Sequence, residues 1–329
     1  MRMITVRSEN FQWPASRRRE RLRLSLVDML KRARACWQIY ARNRLAVVGL
    51  VLIVTYALMA LSHPLLLGSV WPTGIYHPET GYDSKYVTRH PSPPSARHLF
   101  GTDTLGRDVL SRLLYATRPT FVLAITAALA TALASILVGA LAAYFRGWVD
   151  ALLMQLAGAF LLLPAPIFMV VLAVWTGDFF GPAGFGAGYG LIAGLGPAAI
   201  IMRAHGRSLM SQPYIDAARV AGGGPVHIIR RHLVPQLLPL ASIQMMVAVA
   251  GVVIADGFIS WFGVGTYWNR LNWGSMVMWG ISIINQEIVW HAMIPPALAL
   301  SFFSAAFYLV SRGLQDVVDP RKRNTEPLL

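Results

Sequence analysis

The sequence predicts an all-α, polytopic membrane protein with six transmembrane helices. Of its 329 residues 55% are hydrophobic and only 13% charged, and the apolar residues gather into runs near the ~20 that a helix needs to cross a bilayer. Arginine and lysine total 29 and give a formal charge of +14. Most of them sit before Leu45, at Arg146, between Arg203 and Arg231, and from Arg312 onward, in segments that flank the apolar runs. Cytoplasmic loops collect such charge. Both termini are therefore expected in the cytoplasm and the 68–118 loop outside. The same distribution speaks for membrane lipid and against nucleic acid as a partner.

Residues 1–44 read as a basic tail and an amphipathic elbow helix. Leu26, Leu30, Ala33, Trp37 and Tyr40 recur at alternating steps of four and three with Lys31, Arg32, Arg34 and Arg42 between them, the pattern of a helix lying on headgroups. This polar stretch is far longer than the opening of a signal peptide, so no cleavage is expected. Residues 45–67 form the first span. In the 68–118 loop a proline- and glycine-rich part, Gly68 to Ala96, precedes an amphipathic helix marked by Val109, Leu110, Leu113 and Leu114. Residues 119–312 hold the remaining spans: Pro119 to Phe145, Val149 to Trp175, Tyr189 to Met202 with a glycine-rich lead-in, Leu237 to Phe262, and Trp290 to Val310. Residues 313–329 form a cytoplasmic tail.

Between the fourth and fifth spans lies a polar interruption at about 211–235, containing "YIDAARVAGGGPVHIIRRHLVP" from Tyr214 to Pro235. It reads as two short helices. Ser211 caps the first, Pro213 fits its opening turn, Gly222, Gly223 and Gly224 stop it, and Pro225 starts the second. Ala217, Ala218 and Ala221 are small enough for the first helix to enter a partner's groove, with Tyr214 as a larger anchor and Asp216 favoured near the helix N-terminus. An ordinary amphipathic connector is the plainer alternative.

Several chemistries are excluded. The lysines, Lys31, Lys85 and Lys322, never follow a glycine, so a GxxxxGK[ST] phosphate loop is impossible. Neither GxSxG nor HExxH occurs, which argues against an integral-membrane hydrolase. Cys36 is the lone cysteine and no Cys/His cluster has metal-ligand spacing. An ion-coupled secondary transporter usually needs several ionisable groups in its spans, and Asp256 is the evident one. Asp256 lines a polar pathway or is hydrated near the outer interface. Met245 and Met246 line a permissive passage or pack between helices. Asp103 and Asp108 have Arg107, Arg112 and Arg118 nearby to neutralise them, and His205, His227 and His232 suit surface contacts.

The Tyr214–Pro235 segment resembles the EAA loop of bacterial ABC-importer permeases. Asp216, Ala217, Ala218 and Gly222 occupy its Glu-Ala-Ala and Gly positions, with aspartate in place of glutamate, and Leu233, Val234 and Pro235 match its Ile-Leu-Pro end. "RNRLAVVGLVL" at Arg42, "HLFGTDTLGRDVLSRLLYATR" at His98, "WGSM" at Trp273 and "DPRKR" at Asp319 are similar to blocks of the dipeptide/oligopeptide-type permeases. The resemblance implies a permease subunit of the bacterial plasma (inner) membrane, importing peptides or related small solutes such as nickel chelates or glycosides. It implies a second permease subunit, two ATPase subunits that bind ATP and Mg, and an extracytoplasmic solute-binding protein. This chain would hold no cofactor or metal and catalyse nothing itself. Tyr214, Asp216, Ala217, Ala218, Ala221, Gly222, Leu233 and Pro235 would couple it to the ATPases.

Overall fold

The computed structural model describes residues 34, 37–84, 91–176, 181–262, 271–280 and 289–318. Their order is α1 (Arg44–Ser69), α2 (Thr73–Tyr76), α3 (Val109–Tyr144), α4 (Trp148–Leu162), α5 (Ala165–Thr176), α6 (Gly181–Ala193), α7 (Ala199–Met210), α8 (Pro213–Val220), α9 (Pro225–Ile228), α10 (Val234–Phe262), α11 (Trp273–Trp279) and α12 (Trp290–Val318). Among the described residues five helical stretches are long and apolar enough to cross a membrane, and a sixth crossing results if a bent pair counts as one span. Of the elbow pattern, Leu26, Leu30 and Ala33 lie outside the described residues, as does the "DPRKR" block.

Helix α3 is the axis of the bundle, 36 residues long and in contact with α1, α6, α7 and α10. Its buried face is mostly small, Ala116, Ala124, Ala127, Ala134, Ala140 and Ala143 with Thr117 and Thr131 between them, although Val109, Leu113, Leu114 and Leu123 are buried toward its start. The threonine hydroxyls donate back to Leu113 O at 3.0 Å and Ala127 O at 2.8 Å, so no buried donor is left over. Its exposed face carries Ile125, Leu129, Leu133 and Leu137, one per turn. Along its second half the largest aliphatic side chains face outward, the inverse of a helix folded in water. Lipid gives no hydrophobic drive between helices, so small residues that allow close approach line the contacts.

Two sequence expectations change. The stripe at Val109, Leu110, Leu113 and Leu114 is not a separate helix but the opening turns of α3, because Pro119 withdraws one N–H without stopping the helix. The third span is not straight. Pro164 and Pro166 interrupt it, and Trp148–Leu162 meets Ala165–Val171 at 83°. Pro164 O accepts from the amides of Ile167 (2.9 Å) and Phe168 (3.1 Å), so the break leaves α5 capped.

At one end of the bundle, Asn43 caps α1 through Ala46 N and its Nδ2 donates to Asp316 Oδ2 at 2.8 Å, joining the start of the first span to the end of the last. At the other end, α11 is closed by a capping box between Asn272 and Ser275. Trp273 buries its ring against Tyr56 and Phe303 and donates from Nε1 to Leu113 O at 3.2 Å.

The contact of α3 with α7 depends on Gly139, where a Cβ would lie 2.3 Å from the Cβ of buried Met202. Gly139→Ala should destabilise the protein by about 1–3 kcal/mol, the usual cost of overpacking, visible as a lower thermal midpoint in detergent. Gly158→Ala, where nothing lies within 4 Å, should leave that midpoint in place.

Candidate coupling hairpin and interhelical cavity

Helix α7 ends at Met210, two residues turn the chain, and α8 opens on Pro213, whose missing N–H has no partner to lose at a first helical position. Ser211 does not cap α8. It lies one residue early, and its hydroxyl donates to Ser208 O at 2.9 Å, closing α7, while Gln212 takes the cap position without a side-chain bond. Gly222, at φ +86°, turns the chain out of α8, and the following amide of Gly223 donates to Ala218 O at 2.9 Å. Few residues other than glycine enter that region without strain. Pro225 then opens α9.

The second arm is not an independent short helix. It continues from α9 through a π turn, Ile229–Leu233, into α10. Pro235 has no amide to donate to Arg231 O, and the widened turn accommodates that gap. The hairpin is thus the rooted end of a span.

Ile215, Ile228 and Leu233 are fully buried with Met202, Met210, Ala140, Ala143 and Leu237. Of the sequence-predicted residues, Leu233 therefore anchors the hairpin. Tyr214, Asp216, Ala217, Ala221, Gly222 and Pro235 face outward and Ala218 is half-buried. Tyr214 Oη accepts from Gln236 Nε2 at 2.9 Å, which holds the ring, and Asp216 pairs with Arg219 at 3.0 Å on the open surface. Val220, 90% exposed, and Val226 join the alanines in an apolar ridge. Such a ridge on a mostly polar hairpin is a surface made for contact. Ile215, Ile228, Val220 and Val226 were not singled out from sequence, although the apolar residues of the hairpin alternate at helical spacing.

Asp256 is buried and lines a cavity of about 30 Å³ with Pro119, Thr120, Leu123, Pro182, Leu271 and Asn272. That space holds a water or two. Met245 and Met246 are half-buried and pack against the central core.

The acidic residues ahead of α3 are structural. Asp103 pairs with Arg107 at 2.8 Å and with Arg112 at 3.6 Å, and Arg112 also donates to Pro78 O at 2.7 Å. Asp108 is met by His98, not by an arginine, and its other oxygen caps α3 through Ser111 N at 2.6 Å. His98 Nδ1 lies 2.8 Å from Asp108 Oδ2, and Nε2 lies 3.3 Å from Asp83 Oδ2. A protonated ring donates to both carboxylates at once, one from each nitrogen. The hydrogen bond to Asp108 raises the His98 pKa above its ordinary value of 6.5, against the opposing pull of burial. Among the described residues no group of three His, Cys, Asp or Glu is arranged to hold a metal.

Residues 135–324 match the family described as the binding-protein-dependent transport system inner membrane component, and residues 32–86 match the N-terminal TM domain of oligopeptide transport permease C. The chain belongs to the binding-protein-dependent transport system inner membrane components, the multi-pass permease parts of importers whose ATPase activity lies in partner subunits and whose solute arrives on a binding protein. It is 31% identical to a protein of Brucella abortus named as a peptide transport system permease, over 85% of this chain and 89% of that one. It is 29% identical to the dipeptide transport system permease protein DppC of Bacillus subtilis, over 87% and 85%. To the oligopeptide transport system permease protein OppC of Haemophilus influenzae it is 27% identical over 91% and 93%.

The His98 cluster makes the loop before α3 pH-dependent. A pKa raised in the folded state contributes stability that is fully present below 6.5 and lost as pH rises through the folded value. Amide exchange in residues 92–108 should therefore quicken, beyond the intrinsic chemical rate, as pH rises above 6.5 and through the raised folded value. His98→Gln should exchange fast throughout, with that excess pH dependence removed.

Proposed function

We propose that this chain is a permease subunit of an ATP-driven importer of peptides or related small solutes. It would pair with a second permease subunit and dock two ATPase subunits, which bind ATP and Mg. The reading of peptide as cargo rests on the printed names of the relatives. The observation that carries the mechanism is the hairpin: small, apolar and exposed on one side, rooted by Ile215, Ile228 and Leu233 on the other. Tyr214, Asp216, Ala217, Ala218, Ala221, Gly222 and Pro235 would meet the ATPases, and Leu233 would hold the hairpin to the spans. ATP binding would favour one access state over the other only by contacting the two states differently. Asp256, with Met245 and Met246 as further candidates, would line the route taken by the solute. A buried carboxylate suits the ammonium end of a peptide once the cavity widens.

Ala218→Trp should obstruct the partner's groove, and Gly222→Val should oppose the turn at φ +86°. Both should lower transport and substrate-stimulated ATP hydrolysis by at least about tenfold at normal complex abundance. Unchanged values in both variants would leave the hairpin a mere connector.

We further propose cytoplasmic termini and an external 68–118 loop, from the placement of basic residues. With Cys36 replaced, Ser84→Cys should react with an impermeant thiol reagent in intact spheroplasts. Labelling only after permeabilisation would reverse the topology.

A further inference from the structure

Asp150, the third residue of α4, is sealed between two helices at the hairpin end of the bundle and only 7% exposed. It meets two arginines one turn apart on α7. Arg203 forks onto it, Nε to Oδ1 and Nη2 to Oδ2 at 2.6 Å, and Arg207 Nη2 donates to Oδ2. Bidentate arginine pairing fixes orientation as well as distance.

The place of this cluster gives it meaning. Helix α7 is the stem of the hairpin: Met210 ends it and Pro213 begins α8. One side of α7 lies hard against α3 at Gly139 and Met202. The Asp150 cluster ties α7 to α4 instead. Helix α4 leads through the 83° bend to α5, which packs on α10. A push on the hairpin can reach the bent span through this cluster or be absorbed in the turn at Ser211 and Gln212.

We propose that Asp150 is a positioning residue for transport, fastening α4 to α7 so that displacement of the hairpin moves the bent third span. The inference rests on the hairpin being the coupling element. A lone arginine–carboxylate pair in water is easily exchanged for solvent. A nearly buried carboxylate that accepts three donors is not, so the two helices move as one body.

The complete transporter, reconstituted in lipid vesicles with Cys36 replaced, tests this by spin-label distances before and after trapping with ATP and vanadate. One label pair joins Arg230→Cys, exposed on the second arm of the hairpin and outside its apolar ridge, to Leu58→Cys on α1, and a second joins Leu162→Cys at the end of α4 to Leu58→Cys. Both distances should shift in the otherwise unaltered protein. Asp150→Asn, nearly the same shape, should keep the Arg230 shift and lose more than roughly half of the Leu162 shift. Asp150→Glu, which keeps the charge, should restore most of it. The double variant Asp150→Asn with Arg203→Gln leaves neither a bare carboxylate nor its main partner, and should match Asp150→Asn alone. A full Leu162 shift in Asp150→Asn would overturn the proposal, as would restoration in the double variant, which would trace the loss to an unpaired arginine. No Leu162 shift with Asp150 in place would overturn it too. No Arg230 shift would instead sink the reading of the hairpin and leave the tie without a motion to carry.

Discussion

In hydrocarbon no backbone N–H or C=O can turn to water, and the layout of this chain follows from that constraint. It leaves helices as the spanning structure and makes each proline a question of where a missing donor can be tolerated. At Pro213 and Pro225 the answer is a first helical turn. At Pro197 and Pro235 it is a π turn, within Gly194–Ala198 and just after Ile229–Leu233. At Pro164 it is a break with its own cap. The bend of the third span and the rooted second arm of the hairpin are two outcomes of the same requirement.

Close packing supplies the rest. With no water to expel between helices, contact area decides which faces meet, and the alanine face of α3 lets α6, α7 and α10 approach it closely. The position of α7 against α3 sets where α8 begins. The hairpin is then held by aliphatic side chains entering the seam between α3, α7 and α10. Ion-pair clusters lie before α3, at His98 and Asp103, and beside the hairpin, at Asp150, while Asp256 lies within the α10 span.

The spans were legible because twenty apolar residues in a row have few other uses, and the hairpin because polar residues, glycines and prolines interrupt them at one place. The ends of elements were less so. Val109 to Arg118 has the stripe of a surface helix and also the composition of a span's opening turns, and only packing against the neighbours distinguishes them. Ser211 has the chemistry of a cap, but the end of α7 claims its hydroxyl first. Asp150 is a single polar residue near a helix start, with nothing in its neighbours to set it apart. Its meaning lies in Arg203 and Arg207, some fifty residues away in sequence, and a lone sequence does not say which distant charges meet. The same holds for His98, whose partners Asp83 and Asp108 belong to different turns of the loop. Ile215 and Ile228 were visible as apolar residues, but whether such a residue faces its own bundle or a partner depends on how α8 is rotated.

That rotation gives the hairpin its mechanical character. A helix of eight residues is marginal by itself in water. Burying Ile215, Ile228 and Leu233 contributes about 1.5–3 kcal/mol each by transfer alone, and a helix this short depends on such packing for its stability. The hairpin therefore holds its shape because it is docked, and a force applied to its exposed alanines acts on side chains embedded among α3, α7 and α10. Stiffness at the surface is borrowed from the interior. An exposed ridge of Ala217, Val220 and Ala221 would be a liability on a free loop, but on a rooted one it is a rigid handle on the helices beneath it.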